Sequence, residues 1–175
     1  FKYPKNVETK PLNFLKDNIG KNEYDLVSAW EVIEHIPFPS FENLLNKIYA
    51  ALKPSGVAVF STPDFDSLLC QAWDFYNLCP PHHLLIFSET WVRKYFANHP
   101  QFELVDILGE TEIFLESDYE PWFKYWASTS KTFESRALAK IFLEMLRDKK
   151  INKMLKGFFE KKHWGTSMII IIKKR

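Results

Sequence analysis

Glycine is scarce in this chain: five residues among 175, Gly20, Gly56, Gly109, Gly157 and Gly165, each isolated. No GxG pair occurs, which excludes the close-approach glycine turn that lets backbone cradle a nucleotide-like ligand where a Cβ would stand in the way. Cysteine is rarer still. Cys70 and Cys79 form neither a CxxC metal pattern nor a disulfide framework, which fits a reducing, cytoplasmic setting. No apolar run reaches the roughly 20 residues that span a bilayer, and no signal-peptide pattern is present. Neither sign of charge dominates: 23 basic and 22 acidic residues leave a net +1, which argues against a broad nucleic-acid-binding surface. Serine-nucleophile and phosphate-loop motifs are absent as well.

Apolar residues are plentiful, at 46% hydrophobic and 17% aromatic. That suffices for one globular domain with a real core, and the length is too short for two large ones. Asn6–Lys10 predicts a short strand and "YDLVSAW" (Tyr24–Trp30) a buried one. Ser40 reads as an N-cap, with Phe41, Leu44, Leu45, Ile48 and Leu52 behind it at helical spacing. "KPSG" (Lys53–Gly56) stops that helix, and "VAVFSTP" from Val57 is a strand apolar on both faces. Ser88 caps another helix bearing Trp91, Val92, Tyr95 and Phe96, and Phe102–Leu108 is a further core strand. From about Asp118 to Lys162 the pattern is helical. Finally "SMIIII" (Ser167–Ile172) has no polar face and belongs inside a sheet rather than at its edge. Strands alternating with helices imply an α/β fold with a mostly parallel sheet.

The chemistry gathers in "WEVIEHIPFP" (Trp30–Pro39). A helical turn after Trp30 would put Glu31, Glu34 and His35 on one face, at the strand tip where open α/β sheets place ligands. His83, in "PPHHLLIFS", offers a fourth group. Such a set can coordinate a divalent metal, position His35 as a general base, or simply line a polar cleft. "STPDF" (Ser61–Phe65) either lines an acceptor pocket or forms a turn. The segment Arg147–Lys162 sets Ile151, Met154, Leu155 and Phe158 against six lysines. It fits a solvated helix on an intramolecular cap, and also a helix that rests on a membrane or an acidic partner.

"YDLVSAWEVIEHI", an amphipathic helix, "LKPSGVAVFSTP" and then "PPHHLLIFS" resemble the second half of seven-stranded, Rossmann-like S-adenosylmethionine-dependent methyltransferases. The branch most similar is that of the ubiquinone-biosynthesis O-methyltransferases. The resemblance implies that Asn6–Lys10, Tyr24–Trp30, Val57–Thr62, Phe102–Leu108 and Ser167–Ile172 are strands three to seven, the seventh antiparallel between the fifth and sixth. Residues 1–112 and 163–175 would then be the C-terminal part of the methyltransferase domain, and 113–162 a helical insertion. The first two strands, and the glycine-rich cofactor loop between them, would lie upstream in roughly 60 to 120 further residues; the fragment alone would be inactive. Cofactor contacts carried over by position are Ala29, Trp30, Glu31 and Leu12, with Glu34 and His35 catalytic and a small-molecule hydroxyl as acceptor. The set Glu31, Glu34, His35 and His83 also resembles the metal ligands of small-RNA 3′-end ribose 2′-O-methyltransferases. A different class of reading is a non-catalytic interaction domain that kept the sheet and lost the cofactor half.

Overall fold

A strand apolar on both faces needs a neighbour on each edge, and Ser167–Lys174 has two. The computed structural model describes residues 5–67, 81–110, 124, 127–162 and 166–175. Its strands are β1 (Tyr24–Trp30), β2 (Leu52–Pro63), β3 (Phe102–Glu110) and β4 (Ser167–Lys174). They form one sheet in the order β1-β2-β4-β3. β1 and β2 are parallel, and β4 runs antiparallel to both β2 and β3. Three strands therefore point one way and only the last is reversed, as expected of a methyltransferase-like sheet ending in an antiparallel strand.

Helices α1 (Phe38–Ala51) and α2 (Glu89–Ala97) supply the core on one side. The buried stripe of α1 is Phe41, Leu44, Leu45, Ile48 and Ala51. It packs in one cluster with Ala58 and Phe60 of β2, Phe102 and Ile107 of β3, and Met168, Ile170 and Ile172 of β4. β2 and β4 contribute alternate residues, as the pleat requires, whereas a register shift between Leu104 and Asp106 moves the inward side of β3 from Phe102 and Leu104 to Ile107. Helices α3 (Phe133–Arg147) and α4 (Lys149–Lys161) lie in sequence between β3 and β4. Residues 113–123, 125 and 126 of the expected helical insertion fall outside the described residues.

Several expectations need correction. Ser40 is not a cap: α1 begins at Phe38 after Pro37, with Pro39 in its first turn, where a missing N–H costs nothing. Ser88 does cap α2, accepting the Trp91 N–H at 3.1 Å. "KPSG" lies inside β2 rather than before it. The register jumps from Tyr24 opposite Leu52 to Leu26 opposite Val57, so the tetrapeptide is an outward irregularity of the strand. Ser55 there is left-handed (φ 62), and a Cβ on Gly56 would stand 3.0 Å from the Lys53 carbonyl. Asn6–Lys10 forms no strand; its residues are exposed and bond to no ladder. β1 is not buried: Leu26 is 57% and Trp30 54% exposed, and among the described residues only β2 pairs with it. Val27 and Ala29, on its other face, do reach the core.

The chain's end is pinned to its middle. Lys174 is buried, and its Nζ donates to the Leu52 carbonyl (2.6 Å) and to Asn22 Oδ1 (3.1 Å) while sitting 4.4 Å from the Tyr49 ring centre. Lys174→Met keeps the stem but leaves both acceptors without their donor. It should cost about 1–3 kcal/mol in urea unfolding, the usual toll of stranding one buried acceptor, here the Leu52 carbonyl, since water can reach the exposed Asn22; no change would remove the pin from the account.

Two buried titratable groups give the fold opposite pH dependences. Burial lowers the His99 pKa, and its Nδ1 accepts from the Gln101 and Phe102 N–H groups at 3.3 and 3.2 Å, a role only the unprotonated nitrogen can fill. His99 therefore weakens the fold as pH falls below its ordinary value of 6.5. Burial pushes Asp64 up to about 6, against the stabilising N–H groups of Asp66 and Glu89. The folded chain then holds that proton more tightly than the unfolded one, so this contribution is present below its ordinary value of 3.8 and is lost as pH rises to about 6. Asp64→Asn preserves the acceptor oxygen without the titration. Relative to the unmutated chain, it should be more stable at neutral pH than in acid, measured by denaturant unfolding at both.

Candidate functional site

The parallel pairing of β1 and β2 ends with Trp30 opposite Ser61. The next residue, Glu31, is left-handed at φ 51, a conformation that costs a side-chain-bearing residue roughly 1–2 kcal/mol. Ser61 offsets it. The Glu31 N–H donates to the Ser61 carbonyl (3.2 Å) and Oγ (3.1 Å), and the Ser61 hydroxyl donates to Glu31 Oε1 at 2.7 Å. One 3-10 turn, Ile33–His35, follows. Because Glu31 and Val32 are not helical, the shared face expected for Glu31, Glu34 and His35 does not form. The Glu31 carboxylate is turned onto β2.

Glu34 and His35 instead meet the loop that precedes α2. The Glu34 carbonyl accepts from the N–H groups of both Leu84 (2.8 Å) and Leu85 (3.0 Å), which draws residues 82–85 across the turn. Ligand atoms of Glu34, His35 and His83 then lie within 4.8 Å of one another. The two imidazoles meet edge to face, with centres 4.8 Å apart. Glu34 is only 1% exposed, yet among the described residues neither carboxylate oxygen has a hydrogen-bond partner, and neither does His83 Nδ1.

His35 shows which way its protons lie. Its Nδ1 is 2.8 Å from the His82 carbonyl. A carbonyl can only accept, so Nδ1 carries the hydrogen, and in the neutral ring Nε2 keeps its lone pair. That nitrogen stands 3.7 Å from Glu34 Oε1. The Glu34 oxygens and the His35 Nε2 lone pair thus converge with no hydrogen-bond donor to Glu34 among the described residues. Buried polar atoms are rarely left so, and either a proton or a cation would satisfy them. One carboxylate with two imidazoles is a donor set suited to manganese, iron, cobalt or zinc more than to magnesium.

The other sequence candidates are spread more widely. Ala29 and Trp30 end β1, Ala29 reaching the core and Trp30 facing outward. Leu12 lies exposed on the segment before β1, where α1 residues Asn43 and Lys47 hold the carbonyls of Leu15 and Asp17. Asp64 is a turn former: its Oδ1 accepts from Asp66 and from Glu89 at the start of α2. Ser61 was expected only as pocket lining or part of a turn, not as the partner of Glu31, and the His82 carbonyl went unnoticed. Ser61 could have been found by aligning the two strand ends, since equal register puts it beside the acidic motif. A backbone carbonyl leaves no sequence signal.

No curated protein sequence matches the chain. Among solved structures, coclaurine N-methyltransferase bound to N-methylheliamine and SAH is similar at a TM-score of 0.51 and 16% identity, over 97% of this chain and 53% of that one. A SAM-dependent methyltransferase from Archaeoglobus fulgidus follows at 0.49 and 17% identity, over 97% of this chain and 66% of that one. MccD protein has a TM-score of 0.49 at 15% identity, over 94% of this chain and 66% of that one. The chain thus spans between half and two thirds of these structures' length, and at such identities the first likeness speaks for the fold alone. The family comparison reaches further, because it matches residues 4–144: the chain belongs to the methyltransferase domain family.

Proposed function

We propose that the chain is the acceptor-side part of an S-adenosylmethionine-dependent methyltransferase that methylates the hydroxyl of a small molecule. The observation that carries the site assignment is the convergence of Glu34, His35 and His83 beside the carboxyl end of β1. Open α/β sheets bind their ligands at that end. Trp30, exposed there, and Ala29, Glu31 and Leu12 would meet the cofactor, which supplies the sulfonium methyl. Since the chain has no GxG turn, the remaining half of the cofactor site belongs to a further part of the protein. The uncovered edge and face of β1 and the greater length of the fold neighbours support that reading. Residues 113–162 would shape the acceptor pocket.

Glu34, His35 and His83 would hold a divalent cation, which would polarise the acceptor hydroxyl and lower its pKa. The residues fit that role: a buried carboxylate with both oxygens open, an orphaned His83 nitrogen, and a His35 Nε2 whose lone pair the His82 carbonyl sets free. Glu31, bonded to Ser61, would shape the turn rather than ligate. A second reading follows from the 45% exposure of the His35 side chain. Without a cation, the same Nε2 can take the hydroxyl proton as general base, and Glu34 would steady the imidazolium that results.

Calorimetric titration of the chain with manganese or zinc, beside methyl-transfer assays of the longer protein with and without chelator, separates the readings. Under the cation reading, heat of binding is seen and disappears in His83→Ala and Glu34→Gln, and chelator stops turnover. Chelator-insensitive turnover that still falls about 10²–10⁴-fold in His35→Ala would assign the general base instead. Turnover indifferent to both would overturn the site.

A further inference from the structure

Helix α4 turns an unusual stripe outward. Lys150, Met154, Phe158 and Lys161 follow at intervals of four, four and three, so they line one side of the helix. Met154 is 65% and Phe158 47% exposed, and Lys150, Lys153, Lys161 and Lys162 are exposed around them. A helix serving only as an intramolecular cap would turn Met154 inward and leave lysines alone in water. α4 packs on α3 and β3, and Met154 and the lysines around it lie on its solvent side. Its charge is one-sided: residues 149–162 contain six lysines and a single acid, Glu160. α3 carries further exposed apolar side chains in Phe133, Leu138 and Ile141.

We propose that α4 rests on an anionic membrane surface, with Met154 and Phe158 set into the headgroup layer and the flanking lysines on lipid phosphates. An apolar centre rimmed by cations is the pattern of a helix lying in the plane of such a surface. No helix among the described residues is long and apolar enough to cross a membrane, so the contact is peripheral. A second copy of the chain fits poorly, because a two-fold contact through this face would bring the two sets of lysines together. A nucleic-acid backbone would satisfy the lysines but leave Met154 in water. A lipid surface satisfies both.

The inference stands apart from the methyl-transfer reading, since vesicle binding needs neither cofactor nor acceptor. Co-sedimentation of the chain with phosphatidylcholine vesicles, with and without about one third phosphatidylglycerol, tests it. Binding should rise at least about tenfold with the anionic lipid and weaken with salt. Met154→Asp, at an exposed position and with folding checked by circular dichroism, should reduce binding about tenfold. Lys153→Glu should do likewise, whereas Lys94→Glu on α2, the same charge change elsewhere, should not. Three results would overturn the proposal: no anionic-lipid preference, equal loss in Lys94→Glu and Lys153→Glu, or binding unaffected by Met154→Asp. Concentration-dependent dimers abolished by Met154→Asp, or an RNA oligonucleotide that outcompetes the vesicles, would reassign the face.

Discussion

The sheet is joined by its last strand. β2 and β3 do not pair with each other, and both are bonded to β4, so the four strands are continuous only once residues 167–174 are in place. Everything packed on that sheet depends on this closure. The α1 and α2 stripes lie against a surface in which Met168, Ile170 and Ile172 are the central row. Lys174 then ties the same strand to Leu52, where α1 gives way to β2. More than a hundred residues separate β2 from β4, so the pairing that closes the sheet carries a large loop-closure entropy and raises the contact order of the fold.

Closure also fixes where the polar residues go. At the carboxyl end of β2, Ser61, Thr62 and Asp64 are all buried, as are Thr166 and Ser167 of the antiparallel neighbour. Asp64 N–H donates to the Thr166 carbonyl at 2.9 Å, and Ser61 reaches sideways to Glu31. The acidic turn is therefore set upon a rigid strand end, and the second support, the Glu34 carbonyl bonded to Leu84 and Leu85, is backbone too. Side chains held through main-chain bonds lose little positional freedom when neighbours change, which suits a ligand site better than loop contacts do.

Much of this was legible because it rests on periodicity. The uniformly apolar Ser167–Ile172 had to be an interior strand, and Tyr24–Trp30 and the Ser88 cap stand where pattern and cap chemistry put them. Grouping His83 with Glu34 and His35 was legible from strand-end logic and from resemblance. What failed has a common cause: the pattern records what a segment would bury, not what lies beside it. Tyr24–Trp30 has the composition of a buried strand and one uncovered face, and Asn6–Lys10 has strand propensity without a partner ladder. The left-handed Glu31 was invisible for a different reason. Its conformation is stabilised by Ser61, thirty residues away in sequence, and no local rule for glutamate predicts it.

The buried carboxylate gives the site its character. Glu34 is 1% exposed and neither of its carboxylate oxygens has a hydrogen-bond partner among the described residues, a state that buried polar groups rarely keep. His35 cannot relieve it in its neutral form, because the His82 carbonyl already takes the Nδ1 hydrogen and leaves a lone pair on the side nearer Glu34. Protonating His35 would supply a donor at Nε2, and binding a cation would serve both residues and His83 together. The half-exposed His35 ring is where solvent reaches the cluster, while Glu34 beside it is closed off. Under the proposed reading, a ligand held by Glu34, His35 and His83 would couple binding to the stability of the turn itself, because whatever binds only the folded chain also stabilises it.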